Sequence, residues 1–321
     1  MPKLSVIVPC HNVQEFAEDT LRSLANNASP ATEFLLVDDC STDATPEILD
    51  RWEQRLPQAT VIRHEENKGI AQSRNSGIDA ARGDFLTFLD GDDWYGPGYL
   101  DELIRVIEEL GCDFVRTDHV QSTETHRVVR RAPAPVRDRV LNPRDVIAPP
   151  EAETMVDYPF VWAGVYRRRL FDDGAMRFAT DLRTAEDRLW TWRLHLRARS
   201  FAATGLLGVF YRRGVATSLT QIRDARQLDF IPAHDALLAD LAADPESERF
   251  LPKAIRTYCA LLEFHLTKIR RYQRPVARRL KKMVATALQG MPQDVLDMTL
   301  EGMDDRRADK LRRYRTSRKA A

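Results

Sequence analysis

The segment DFLTFLDGDD, residues 84–93, runs an apolar stretch straight into three carboxylates, Asp90, Asp92 and Asp93. Like charges set that close where a buried strand emerges repel one another unless a cation or a hydrogen-bond donor lies between them. A hard divalent ion suits such oxygen donors, because Mg2+ and similar ions are commonly held by one or two protein carboxylates while substrate phosphates and waters complete the shell. The chemistry suggested is diphosphate binding. In an extended chain the period of two points Asp90 and Asp92 the same way, and Gly91 lets a ligand approach the backbone. A solvated acidic turn is the competing reading, because Asp-Gly is a common turn dipeptide.

Strands and helices along the chain must hold these groups. LSVIVP (4–9), FLLVDD (34–39), TVIRH (60–64) and DFLTFLD (84–90) read as strands, with helical patterns between them. Phe16, Ala17, Thr20, Leu21 and Leu24 fall at helix-face spacing, a second helix starts near Pro46, and a third carries Leu100, Leu103, Ile104, Ile107 and Leu110 before a stop at Gly111. CDFVRTD (112–118) follows as a further strand. This alternation implies an α/β domain with a mainly parallel sheet covered on both faces. Ligands bind beyond the carboxyl ends of such strands, and there the chain places Pro9-Cys10-His11-Asn12, Asp38-Asp39-Cys40-Ser41 and Asp90-Gly91-Asp92-Asp93. Residues 120–150, rich in Arg and Pro, read as loop or hairpin. VWAGVYRRRLF, AEDRLWTWRLHLRA and GLLGVFYRR resume the pattern between 155 and 220, and beyond about 224 only amphipathic helices are expected.

PCHN, VDDCSTD, ENKGIAQSRNSGIDAARGD and FLDGDD occur in that order within the first 95 residues, and the succession resembles the nucleotide-binding half of family 2 glycosyltransferases. The likeness covers about residues 3–220, strongly to 95 and loosely beyond. It implies a GT-A fold, a Rossmann-like mainly parallel sheet with flanking helices, and inverting transfer of a sugar from a nucleotide diphosphate sugar with Mn2+ or Mg2+. UDP is the nucleotide that the family uses most. By motif position the resemblance puts Pro9 and Asn12 in the nucleotide pocket, Asp39 at the base, Asn67 and Arg74 at the nucleotide and diphosphate, Asp90 at the ribose or metal, and Asp92 on the metal. Cys40 stands where the family often has Gly, so a positive φ is not expected there. Arg74 as a surface ion pair, Asn67-Lys68-Gly69 as ordinary turn chemistry and Asp38 as a brace for its own loop are the plainer readings of those residues taken singly.

Direct displacement at an anomeric carbon also needs a base for the acceptor hydroxyl. Relatives carry a Glu-Asp or similar pair whose aspartate is that base, and Asp187 in Thr184-Ala185-Glu186-Asp187 matches it, with Glu186 in reserve. The plainer alternative is a helix start, with Thr184 as N-cap and Asp187 at the third helical position. YRRGVATSLT (211–220) resembles the mobile loop that closes over the diphosphate in relatives, which brings in Arg212, Arg213 and Ser218; an exposed charged strand end fits the same residues. Processive synthases of this family add a Q-x-x-R-W motif and membrane spans, and neither is found in this chain, so one sugar or very few should be added per encounter.

The remaining features bound the class. Four scattered cysteines, with no CxxC pair, suggest neither zinc nor a disulfide framework, and His11, His195 and His265 lack metal-ligand spacing. The start MPKLSVIVP lacks the parts of a signal peptide and no run reaches the length of a span, so a cytoplasmic protein is expected. The net charge of zero divides into +10 over residues 268–321 and −10 over the rest. The basic end lacks an RNA-binding signature, so no nucleic acid is expected; an anionic membrane surface, reached peripherally, and an anionic glycan acceptor compete with simple solvation of helix faces. Residues 1–222 are taken as the transferase domain, 1–120 for the nucleotide and 121–222 for a glycan, polymer or lipid-linked acceptor of the cell envelope, with 223–321 as a helical extension. A sugar nucleotidylyltransferase would need a glycine-rich loop after the first strand, which Cys10-His11-Asn12-Val13 does not offer. A binding module with a lapsed active site is the non-enzymatic alternative.

Overall fold

The computed structural model describes residues 1–214 and 224–316, which group into two compact units. The first takes Met1–Asp145, Tyr158–Asp181 and the stretch from Arg193; the second takes Val146–Asp157, Leu182–Trp192 and the C-terminal helices.

The first unit begins β1 (Leu4–Cys10), α1 (Ala17–Ala25), β2 (Thr32–Asp38), α2 (Thr45–Glu53), β3 (Ala59–Arg63), α3 (Ile70–Ala80) and β4 (Phe85–Phe88). It continues with β5 (Trp94–Tyr95), α4 (Tyr99–Leu110), β6 (Phe114–Thr117), a hairpin of β7 (His119–Ser122) and β8 (Arg127–Arg130), and β9 (Gly164–Arg167). After α5 (Glu186–Arg197), within which the two units divide, come β10 (Phe201–Thr204) and β11 (Val209–Arg212). Seven strands form one sheet in the order β10-β6-β9-β4-β1-β2-β3, parallel except for β9, which runs antiparallel to both neighbours. A smaller sheet has the order β5-β11-β7-β8.

β1 lies inside the large sheet, and its residues are buried throughout because helices cover both faces. α3 approaches it so closely that a Cβ at Gly77 would stand 2.3 Å from Ile7 Cγ2. α4 buries Leu100, Leu103, Ile104 and Ile107 along the expected stripe and stops at Gly111, whose φ of 64° suits a residue without Cβ. The expected hairpin after residue 120 is β7 and β8. β10 has no counterpart among the expected strands: FAAT carries two alanines and a single β-branched residue, too little for a strand signal. The register fixes the functional edge. Cys10 pairs with Asp38 and Asp38 with Arg63, while the Leu89 N–H donates to the Ile7 carbonyl, so β1, β2, β3 and β4 deliver their carboxyl ends side by side.

The second unit adds α6 (Phe230–Ala242), α7 (Ser247–Thr267), α8 (Arg274–Gly290), α9 (Gln293–Glu301) and α10 (Asp305–Arg315). Each helix contributes to one apolar core, among them Ile231, Tyr258, Leu262, Leu280, Leu296 and Leu311. His265 stacks on Phe230 within that core, and its Nδ1 meets the Tyr272 hydroxyl at 2.5 Å. Among the described residues no helix is long and apolar enough to cross a membrane.

Candidate active site

At the ends of β2 and β3 the structure builds a carboxylate cradle. Asp39 is buried, and its carboxylate accepts the Lys68 N–H at 2.8 Å, the Gly69 N–H at 2.7 Å and His64 Nδ1–H at 2.7 Å. Gly69 is the N-cap of α3, so a full negative charge sits on the positive end of that helix. His64 reaches onward through Nε2 to the Ser76 hydroxyl at 2.9 Å. The residue expected at the base is therefore gripped by three donors, and His64, which no sequence motif singles out, is one of them. Only the pairing of β3 with β2 brings it there.

The neighbouring loop ties the other early residues together. The Asn12 side-chain oxygen accepts the Thr42 N–H at 2.8 Å, and its own N–H donates to Ser41 Oγ at 3.1 Å. His11 Nδ1 and Asn67 Nδ2 converge on the Asp39 carbonyl at 2.9 and 3.3 Å. Pro9 pairs with Val37 inside the sheet, and the Asp38 carboxylate accepts the Ser41 N–H at 3.1 Å, bracing its own loop. One expectation fails here. Cys40 has φ of 57°, so the left-handed conformation that glycine would adopt freely is kept by a residue with a side chain. Such a conformation costs roughly 1–2 kcal/mol.

The acidic segment after β4 is a turn and not an extended strand end: the Asp93 N–H donates to the Asp90 carbonyl at 3.0 Å. A Cβ on Gly91 would meet the Pro9 carbonyl at 3.0 Å and Cys10 Sγ at 3.2 Å, so glycine lets the turn lie close over the end of β1 where a side chain would have to push its neighbours back by a few tenths of an ångström. The Thr20 hydroxyl, 2.7 Å from the Asp93 carbonyl and 3.0 Å from that of Gly91, fastens it to α1. Asp90 is neutralised by Arg74 at 3.0 Å, whose buried guanidinium also lies 5.2 Å over the Phe178 ring. Asp92 has no such partner among the described residues. Burial, and then the charge of Asp90, push its carboxyl up to about 6 against the pull of Arg212. Asp93 is pushed up further by burial and by Asp92, and its Oδ2 is buried without a hydrogen-bond partner among the described residues.

Arg212 closes the turn from β11. Its N–H donates to Asp93 Oδ1 at 2.7 Å, its Nε donates to the Asp92 carbonyl at 2.9 Å, and its guanidinium lies between the Phe16 and Trp94 rings at 4.8 and 4.7 Å. It is thus a fixed part of a strand. Arg213 is exposed and donates to the Tyr211 hydroxyl at 3.1 Å; Ser218 lies outside the described residues. Hard oxygen donors with uncompensated negative charge and an orphaned buried oxygen fit a divalent cation. No group of three or more His, Cys, Asp or Glu side chains among the described residues forms a cage by itself.

Glu186, buried, and Asp187, half-buried, open α5 in the second unit. The helix starts at Glu186, which makes Asp187 its second residue, and Thr184 donates its hydroxyl to the Arg226 carbonyl at 2.6 Å across a left-handed Ala185. The spacing of a Thr184 capping box is not realised.

A family model described as Glycosyl transferase family 2 matches residues 5–173. The "Uncharacterized glycosyltransferase EpsJ" of Bacillus subtilis is 32% identical over 199 residues, 58% of this chain and 54% of that protein. The poly(ribitol-phosphate) beta-N-acetylglucosaminyltransferase TarS of Staphylococcus aureus is 28% identical over 215 residues, 66% of this chain and 35% of that protein. The chain spans about half the length of the first of these relatives. Solved structures of S. aureus TarS 1-349 with UDP and with UDP-GlcNAc each cover 98% of this chain and 87% of theirs at 20% identity, with TM-scores of 0.73 and 0.76. At that identity the likeness is one of fold.

Proposed function

The chain belongs to glycosyl transferase family 2, and on that premise we propose that it transfers a sugar from a UDP-sugar to a hydroxyl of a cell-envelope glycan or polymer, with inversion and without processive elongation. The observation that carries this reading is the under-neutralised turn Asp90–Asp93, set beside Arg74 at the carboxyl edge of the sheet. Asp92, with Asp90, would hold a Mn2+ or Mg2+ ion whose chemistry is neutralisation of charge on the departing diphosphate. UDP-GlcNAc is the first donor to test, since the TarS structures of the same fold are described with UDP and UDP-GlcNAc.

In this reading Asp39 keeps the Lys68-Gly69 turn and the start of α3 rigid, so that Asn67, Asn12 and Pro9 present fixed surfaces to the nucleotide. Arg74 orients Asp90, and Arg213 meets the diphosphate. Asp187 takes the proton of the acceptor hydroxyl as that oxygen bonds to the anomeric carbon. The bond from the anomeric carbon to the diphosphate breaks, and UDP leaves with the electron pair. A general base contributes about 10² to 10⁴ in rate and touches the donor little before reaction. Asp187→Asn should therefore bind UDP-GlcNAc as the parent does and lose transfer by that factor, measured as UDP release with an acceptor present. Near-normal turnover in this variant would remove Asp187 from the mechanism and make Glu186 the next residue to test.

A further inference from the structure

The basic C-terminal region consists of two unlike parts. On α10 most cations are already partnered: Arg307 and Lys310 with Glu263, Arg312 with Asp309, and Arg315 with Asp297. α8 is different. Arg274, Arg278, Arg279, Lys281 and Lys282 are all exposed, and none has a carboxylate partner among the described residues. No Asp or Glu occurs anywhere from Lys268 to Gln293, and the exposed Arg270 and Arg271 extend the charge just before the helix. On a helical wheel Arg278, Arg279 and Lys282 lie opposite the buried Leu280, Val284, Ala287 and Leu288 that anchor α8 in the core, with Arg274 and Lys281 exposed along the margin of that outer side. A firmly docked helix thus presents about 12 Å of uncompensated positive charge along its outer side.

We infer that this outer face of α8 docks on an anionic lipid surface. Clusters of four to eight Lys and Arg on an amphipathic helix suit a negatively charged leaflet, where each strengthens binding by about fivefold near the surface. The long stems let every head reach a common plane. α8 carries no aromatic residue on which a base or a sugar ring could stack, which disfavours nucleic acid and a glycan chain as the partner of this face. Its apolar side is occupied by the core, so the attachment is electrostatic and reversible, without insertion.

The test is co-sedimentation of the full chain with phosphatidylcholine vesicles, with and without phosphatidylglycerol, across a salt series. Binding should require the anionic lipid and fall steeply with salt. Arg278→Gln with Lys282→Gln should weaken it by about tenfold or more, whereas Arg306→Gln with Arg313→Gln on α10, an equal change in charge, should weaken it far less. Equal losses from the two pairs would reduce the effect to net charge and overturn the assignment to α8. Equal binding to neutral vesicles, or binding to soluble polyphosphate without binding to vesicles, would overturn the lipid surface. Should a variant fail to fold, the lipid and salt dependence of the unmodified chain decides by itself.

Discussion

Two carboxylate sites stand at the ends of parallel strands in the same sheet and are treated in opposite ways. At the end of β2, Asp39 is saturated: two backbone amides and a histidine donate to it, and a helix N-terminus faces it. Past β4, the described residues set Arg74 against Asp90 and the Arg212 amide against Asp93, yet the carboxyls of Asp92 and Asp93 stay raised by burial and by neighbouring carboxylates. The first arrangement lowers the energy of the folded chain without help. The second raises it, and such a cost suits a site completed by something positive. Burial alone does not separate the two; the supply of donors does.

The comparison breaks most visibly on stability. Asp39→Asn turns an acceptor into a poor partner for three donors at a helix start and should destabilise the chain by about 3 kcal/mol. Asp92→Asn should do the reverse. Its carboxyl takes a proton more readily in the folded chain than in the unfolded one, so folding gains stability as pH falls from about 6 towards 3.8 and carries the full penalty above 6. At neutral pH without metal, Asp92→Asn should therefore be stabilising, by up to about 3 kcal/mol, and the gain should vanish near pH 4. Denaturant unfolding of both variants at pH 7.5 and pH 4 checks the two signs together; equal signs would dissolve the distinction.

Smaller effects sharpen it. His64→Ala removes one of three donors from Asp39 and a partner from Ser76, and should cost about 1.5 kcal/mol with no change in metal response. Arg212→Gln withdraws the charge that opposes protonation of Asp92. The pH midpoint of Mn2+ binding should then rise, read by titrating the ion at fixed UDP from pH 5 to 8.

How far the sequence revealed these sites follows from which contacts are local. The strand-helix alternation of the first 120 residues, the α4 stripe and its Gly111 stop were legible because periodicity and caps are local signals. The acidic strand end was legible as a site but not as a shape: the Asp93 to Asp90 hydrogen bond makes a turn where period-two alternation suggested extension. Asp39 was visible as a residue and its three donors were not, since His64 and the Lys68-Gly69 amides arrive through strand pairing and a crossover helix. Cys40 misled because its left-handed φ comes from the loop around it and not from its residue type. The basic terminus read as one tail because partners such as Glu263 lie 44 and 47 residues from the α10 cations they neutralise.

The most direct measurement is a calorimetric titration of UDP at pH 7.5, with and without Mn2+, into the parent chain and into Asp92→Asn. The account predicts that Mn2+ tightens UDP binding to the parent by at least about tenfold, roughly 1.4 kcal/mol, and does nothing for the variant, whose fold is no less stable. UDP affinity indifferent to Mn2+ in the parent, or enhanced equally in Asp92→Asn, would contradict it.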